Sequence, residues 1–218
     1  MHSPEKLDLG RVRHLVIAGW TGRHLATVEA HIRELEAIGV KRPATTPVFY
    51  RVAASLLTTD ERIEVVGNRS SGEVECVAFS FEDGIFIGLG SDHTDRAAES
   101  VNVSLSKQAC AKPVSSEVWR LEDVAPHWDA LLLRSYSYNG PRRLYQEGSL
   151  ATIRPLHELF RLYAQQPSLL PGTAMFCGTV PVRGNFGSSV AFEMEMHDPV
   201  LNRTLRHSYQ VEMLPDRG

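Results

Sequence analysis

The chain has 218 residues, of which 43% are hydrophobic, and a formal net charge of −3. This length predicts one domain with a substantial core. The slightly acidic charge excludes the basic surface that a nucleic-acid-binding protein needs. No apolar run approaches the length of a membrane span, and the first residues predict no signal peptide.

The three cysteines are Cys76, Cys110 and Cys177, which are widely spaced and form no Cys-x-x-Cys motif. An odd number at such spacing predicts neither a disulfide framework nor a zinc site. Free thiols are typical of a reducing compartment, so we expect a cytoplasmic protein.

The N-terminal part predicts a strand over residues 11–18 and then a helix over residues 24–38. Apolar residues recur at helical spacing in the second segment: Leu25, Val28, Ile32 and Leu35. His31 and Glu34 lie three positions apart, beside this apolar stripe. Taken alone, such a pair is typical of a solvated helix flank.

The central stretch, residues 71–92, predicts a β-hairpin. Glu73 and Glu75 are two positions apart in an alternating run, so both carboxylates should lie on one face of a strand. The Asp-Gly pair at 83–84 is typical of a two-residue hairpin turn. The return strand then delivers Asp92 to the same end of the hairpin.

Three converging carboxylates predict a site for a hard cation. Acids at such short range repel one another unless a cation neutralises them. Oxygen ligands alone select Mg²⁺, Mn²⁺ or Ca²⁺ over zinc. The alternative is an edge strand with a solvated acidic face.

The C-terminal half predicts a helix over residues 150–165 and an antiparallel pair of strands over residues 191–196 and 207–213. Glu193 and Glu195 form a second Glu-x-Glu, but no third acid follows at suitable spacing. We therefore expect them on the solvated face of a strand. Together, the elements predict an α+β fold with a rolled, mixed sheet.

The motifs in this order resemble those of the fumarylacetoacetate hydrolase superfamily. Glu-x-Glu at 73–75 is followed by residues 91–96, Ser-Asp-His-Thr-Asp-Arg, which resemble the Asn-Asp-x-Ser-x-Arg motif of that family. Lys107 falls where the family places its active-site lysine. Residues 146–148 resemble its Gln-x-Gly segment, and residues 171–181 resemble its Pro-Gly-Asp…Thr-Gly-Thr-Pro segment.

The resemblance implies a functional role for two further segments. His31 and Glu34 resemble the His-Glu dyad that a short lid helix supplies in the family, which makes residues 20–45 a predicted lid. Residues 48–52 resemble the Phe-Phe-x-Lys-Pro segment, with Arg51 in place of the lysine. A planar guanidinium suits a carboxylate, so we predict a substrate clamp, with an ordinary surface arginine as the alternative.

The resemblance implies a single domain over residues 1–218 with the mixed β-sandwich roll of the family's C-terminal domain and a few peripheral helices. It also implies a homodimer, and it points to a bacterial branch of unknown function. The partner it implies is a small anionic metabolite, with neither nucleic acid nor membrane involved.

The implied function is a metal-dependent hydrolase that cleaves a C–C bond of a small 2-oxo or 1,3-dioxo acid through a metal-stabilised enolate. The cofactor would be Mg²⁺ or Mn²⁺, with Ca²⁺ as an alternative. The predicted site residues are, as metal ligands, Glu73, Glu75 and Asp92; as catalytic groups, His31, Glu34 and Lys107; and as substrate-binding groups, Arg51, Arg96, Gln146 and Thr179.

Other reactions remain open at this point. The same parts serve a decarboxylase, a hydratase or a tautomerase of the same substrate class. His93 and Asp95 differ from the residues that are usual in the family's second metal motif. A non-catalytic protein that binds an acidic metabolite is therefore the alternative of a different class.

Overall fold

The computed structural model describes residues 3–37, 42–184 and 189–217, without the side chains of residues 31, 34 and 35. The strands are β1 (Glu5–Lys6), β2 (His14–Gly19), β3 (Val48–Val52), β4 (Leu57–Thr58), β5 (Arg62–Val66), β6 (Ser70–Ser71), β7 (Val74–Phe81), β8 (Gly84–Ser91), β9 (Thr94–Asp95), β10 (Lys112–Pro113), β11 (Glu117–Arg120), β12 (Leu132–Tyr138), β13 (Arg142–Ser149), β14 (Thr173–Thr179), β15 (Ala191–Asp198) and β16 (Arg203–Leu214). The helices are α1 (Leu25–Ala37), α2 (Arg96–Glu99), α3 (Val103–Gln108), α4 (Leu121–Val124) and α5 (Leu156–Ala164). None of the described helices is long and apolar enough to cross a membrane.

A seven-stranded sheet with the order β1-β11-β8-β7-β14-β2-β3 carries the central hairpin. Strands β7 and β8 pair in antiparallel fashion, and every residue of β7 is buried. The turn between them lies one position earlier than predicted, because Phe81 already pairs with Gly84. Among residues 81–84, only Gly84 has a positive φ, 135°. The backbone conformation that favours glycine therefore occurs at the first residue of the return strand.

A five-stranded sheet with the order β13-β12-β15-β16-β5 packs against one face of the first sheet. Buried and partly buried residues alternate along β15, as expected for a strand with one face in the core. The predicted pairing of the two C-terminal strands is confirmed, and Glu193 and Glu195 lie on the outer face of β15 in ion pairs with arginines.

The predicted helix over residues 150–165 is wrong in its first part. A 3₁₀ turn occupies Leu150–Thr152, and α5 begins only after Pro155. Proline lacks a backbone N–H and disfavours helical geometry in the preceding residue, so the chain breaks there. The buried side chains of α5 join the core between the sheets: Leu156, Leu159 and Phe160.

The other face of the seven-stranded sheet has its own apolar cluster, which includes Leu15, Ile17, Val77, Phe79 and Phe176. Successive side chains of a strand alternate between the two faces. Glu73 and Glu75 lie four and two positions before Val77. Their side chains therefore point to the same face as Val77. The predicted α+β architecture with mixed sheets and a few helices is confirmed.

Candidate metal centre

The open end of the hairpin brings the three predicted metal ligands together. Val74 pairs with Ser91, so the residues before β7 and after β8 are neighbours, and the Asp92 N–H donates to the Glu73 carbonyl at 2.9 Å. One oxygen from each of Glu73, Glu75 and Asp92 lies within 4.8 Å of the other two. Hairpin pairing alone thus accounts for the convergence of the carboxylates.

Glu75 is held in place by the backbone of Gly178, whose N–H donates to its Oε2 at 2.7 Å. The φ of Gly178 is 111°, and a Cβ there would lie 1.7 Å from the Thr21 hydroxyl oxygen. Both facts require glycine at this point of β14. The strand leaves regular register between Phe176 and Thr179, which turns the N–H toward Glu75.

The Glu75 carboxylate is almost completely buried, with an exposed fraction of 3%. Burial, followed by the charges of Asp92 and Glu73, raises the pKa of Glu75 well above its usual value. A bound cation would lower the pKa of Glu75 again, because its positive charge at short range offsets both the burial and the neighbouring carboxylates. The donor set is made only of oxygen, which fits Mg²⁺, Mn²⁺ or Ca²⁺.

Basic side chains surround the carboxylates. Arg96 lies 3.1 Å from Glu73 and donates to the Ser71 hydroxyl at 2.6 Å. Lys107, on α3, donates to Oδ2 of Asp92. Burial disfavours the charge of Lys107, but the Asp92 and Glu73 carboxylates outweigh it and raise its pKa.

Lys112 is a further basic group that the sequence reasoning missed. Its ammonium nitrogen lies 3.3 Å from Oδ1 of Asp92 and donates to the His93 carbonyl at 2.5 Å. The signal was a lysine in the otherwise uncharged segment between Lys107 and Ser115. Three basic groups therefore face four carboxylates, because Arg96 also pairs with Glu99 at 2.9 Å. A divalent cation would leave the centre with about one positive charge.

Gln146 and Thr179 lie directly beside β7, the strand that carries Glu75. The Gln146 carboxamide oxygen accepts from the Val74 N–H at 2.9 Å, and its nitrogen donates to the Thr179 hydroxyl at 2.7 Å. That hydroxyl donates in turn to the Val74 carbonyl at 2.8 Å. Both groups brace the residue between the two glutamates, and their contact with substrate stays a prediction.

Arg51 is not brought to the carboxylates. It lies on the face of the seven-stranded sheet that α5 covers, where it donates to the Tyr163 hydroxyl at 3.2 Å and contacts His14 at 3.0 Å. Its neighbour Tyr50 points to the opposite face and contacts Lys107 instead. The substrate-clamp prediction for Arg51 thus has no geometric support among the described residues.

The predicted dyad lies on α1, but the side chains of His31 and Glu34 are outside the described part of the chain. So are residues 38–41 of the predicted lid. The role of this segment stays a prediction.

The sequence model of one protein family, described as "Protein of unknown function (DUF2848)", matches residues 18–209. The chain belongs to this family. No curated protein sequence matches it.

Solved structures place this DUF2848 member among proteins of the fumarylacetoacetate hydrolase fold. A fumarylacetoacetate hydrolase family protein from yeast is 18% identical with a TM-score of 0.67, and the match covers 95% of this chain and 96% of that one. A 2-keto-3-deoxy-D-arabinonate dehydratase, solved with magnesium and 2,5-dioxopentanoate, is 16% identical with a TM-score of 0.66, over 94% and 75% of the two chains. The predicted resemblance is therefore confirmed for the fold.

The ion pairs of the centre predict a large effect of Asp92→Asn on the stability of this DUF2848 protein. Lys107 and Lys112, whose side chains are 8% and 0% exposed, would face a neutral amide. Removal of one partner from a buried ion pair costs about 3–5 kcal/mol of unfolding free energy. Urea denaturation in the absence of added metal measures this difference.

Asp129→Asn is the matched control for the loss of an ion pair. Its carboxylate is 57% exposed and pairs with Arg23, so less than about 1 kcal/mol is expected. An equally small change in both variants would contradict the buried cluster around Asp92.

Proposed function

We propose that the protein is a divalent-metal-dependent enzyme that cleaves a C–C bond of a small 2-oxo or 1,3-dioxo acid by hydrolysis. The observation that carries this proposal is the convergence of Glu73, Glu75 and Asp92 within 4.8 Å, with Lys107 paired to Asp92. A metal-binding fold relative supports it, since the dehydratase of similar fold was solved with magnesium and a small dioxo acid.

The three carboxylates would hold Mg²⁺ or Mn²⁺, with Ca²⁺ as an alternative. When bound, such an ion supplies Lewis-acid polarisation of a keto oxygen and a carboxylate. Arg96 and Lys107 make the loaded centre positive and therefore attract an anionic substrate. In this proposal, Lys107, which pairs with Asp92, would hold a substrate oxygen on which negative charge develops.

The dyad on α1 supplies the proton transfer in this proposal. His31, oriented by Glu34, would take a proton from water or from the carbon next to the carbonyl. The carboxylates belong to the sheet and the base to the predicted lid, residues 20–45. Closure of that segment over the substrate would bring the two groups together and exclude bulk water, apart from the water molecule that hydrolysis consumes.

The two departures from the family's metal motif have structural roles in this chain. The His93 ring is buried between the Tyr209 hydroxyl at 3.0 Å and the Ser70 hydroxyl at 2.9 Å, and burial lowers its pKa to about 3. Asp95 accepts hydrogen bonds from the N–H groups of Ala97 and Ala98, in the first turn of α2. Neither residue therefore argues against catalysis, although both motivated the alternative of a metabolite-binding protein.

The proposal is tested by metal-dependent turnover of a panel of 2-oxo and 1,3-dioxo acids. We expect at least one of them to be cleaved with Mg²⁺ or Mn²⁺, and the activity to vanish with a chelator. Product analysis separates hydrolysis from decarboxylation, hydration and tautomerisation of the same acids. Ligand-dependent thermal stabilisation without any turnover would instead favour the binding protein.

Assembly gives a separate prediction. The family resemblance implies a homodimer, and the apolar side chains of Val101 and Leu105, next to the centre on the α2–α3 segment, are 85% and 61% exposed. Such exposed apolar groups favour a protein partner. Light scattering should give about twice the 24.3 kDa of the chain at micromolar concentration. A monomer mass over this range would reject the dimer.

A further inference from the structure

Tyr50 lies on the same face of the seven-stranded sheet as Glu75. Across the strands, Tyr50 pairs with Ile17, Ile17 with Phe176, and Phe176 with Val77. Paired residues share a face, and Glu75 lies two positions before Val77. The row therefore runs from β7 to β3 on one side of the sheet.

The Tyr50 ring borders the metal centre. The ammonium of Lys107 lies 5.7 Å from the ring centroid, and the same ammonium pairs with Asp92. Trp20, the residue directly after β2, lies beside the Tyr50 hydroxyl. A Cβ on Gly19 would lie 3.1 Å from the Tyr50 ring. The absence of a side chain at Gly19 therefore gives the ring space at the end of β2.

The exposure of Tyr50 distinguishes it from the rest of its row. The exposed fractions of Ile17, Phe176 and Val77 are 1% or less, whereas Tyr50 is only partly buried. A core residue would be covered on all sides. Tyr50 is instead only partly buried, and its ring centroid lies 5.7 Å from the Lys107 ammonium.

We propose that Tyr50 is a specificity-determining residue whose ring contacts the part of the substrate that extends beyond its chelating 2-oxo acid head. This inference rests on the proposed function of the metal centre. The head would occupy the positive centre, and the next carbons would lie along the ring. The ring thus favours a substrate with a short apolar chain over one that ends at the head group.

Two probes separate the head from the chain. Oxalate supplies only the chelating head, and 2-oxopentanoate carries an apolar chain without the second carbonyl that hydrolysis of a C–C bond needs. Calorimetry with Mg²⁺ present should show that Tyr50→Ala weakens 2-oxopentanoate binding about 10-fold or more, the usual effect of one apolar group in a pocket. Oxalate affinity should stay within about twofold, and Tyr50→Phe should bind both probes like the native protein.

Phe49→Leu is the matched control on the same strand, because Phe49 points to the opposite face and contacts Tyr163. It should leave both affinities unchanged. Tyr50→Leu keeps an apolar side chain that packs on β3, and it replaces Tyr50→Ala if thermal unfolding shows that the alanine variant is not folded. We expect a selective loss of the same kind but smaller in Tyr50→Leu, because leucine is apolar but shorter than the ring.

The outcomes are distinguishable. If the native protein binds neither probe with Mg²⁺, the proposed function fails. If it binds both and the Tyr50 variants lose neither, or lose both equally, the metal centre stands and the inference about Tyr50 is overturned. A loss of affinity confined to 2-oxopentanoate supports it.

Discussion

Glu75→Gln should lower the affinity of the protein for Mg²⁺ or Mn²⁺ by about 100-fold or more. Changes to groups that only orient a metal ligand already cost 10–100-fold, and Glu75 is one of three anionic ligands in the proposed centre. Glutamine has nearly the same volume, and its amide oxygen can still accept from the Gly178 N–H. The variant therefore removes the charge with little change in packing, and calorimetry measures the affinity.

Glu195→Gln is the matched control, since it alters the second Glu-x-Glu of the chain. Glu195 lies on β15 and pairs with Arg134 and Arg206, away from the hairpin end. Its metal affinity should equal that of the native protein. Native affinity in both Glu75→Gln and Glu73→Ala would exclude the centre.

His31→Ala should lower the turnover of the acid that the native protein cleaves by about 10²–10⁴-fold, the range typical of general acid–base groups. Metal affinity should not change, because none of the three carboxylates lies on α1. Glu75 belongs to β7, Glu73 precedes β7 and Asp92 follows β8. Steady-state kinetics at saturating metal measures the first quantity, and calorimetry the second.

His24→Ala is the control for this variant, because His24 is an exposed histidine just before α1. Its turnover should be close to native. If His31→Ala also keeps near-native turnover, His31 is a residue of a solvated helix flank, and another group must move the proton.

The sequence alone determined the carboxylate cluster of the candidate metal centre, because that cluster is local. Alternation within one strand puts Glu73 and Glu75 on one face, and a hairpin returns Asp92 to the same end. The turn itself was placed one residue late, but the carboxylates still converge. The reason is that moving a two-residue turn by one position moves the pairing by two residues, which keeps every side chain on its face. Asp92 lies opposite Glu73 in the structure and would lie opposite Glu75 with the predicted turn.

Only the tertiary structure decided which other side chains reach the centre. Tyr50 and Arg51 are adjacent in sequence, and either could have faced the carboxylates. The choice depends on register across β2 and β14, two strands that are far from β3 and β7 along the chain. A shift of one residue at any of these pairings exchanges the two faces, and no local pattern specifies all of them.

Lys112 and Gly178 escaped sequence reasoning for a related reason. A lysine beside a proline is ordinarily solvated, and only its burial beneath Asp92 gives it a partner in the centre. The Gly178 N–H reaches Glu75 because β14 leaves regular register where Thr21 approaches it. Both contacts join segments distant in sequence, so their energies depend on the packed sheet and not on any local propensity.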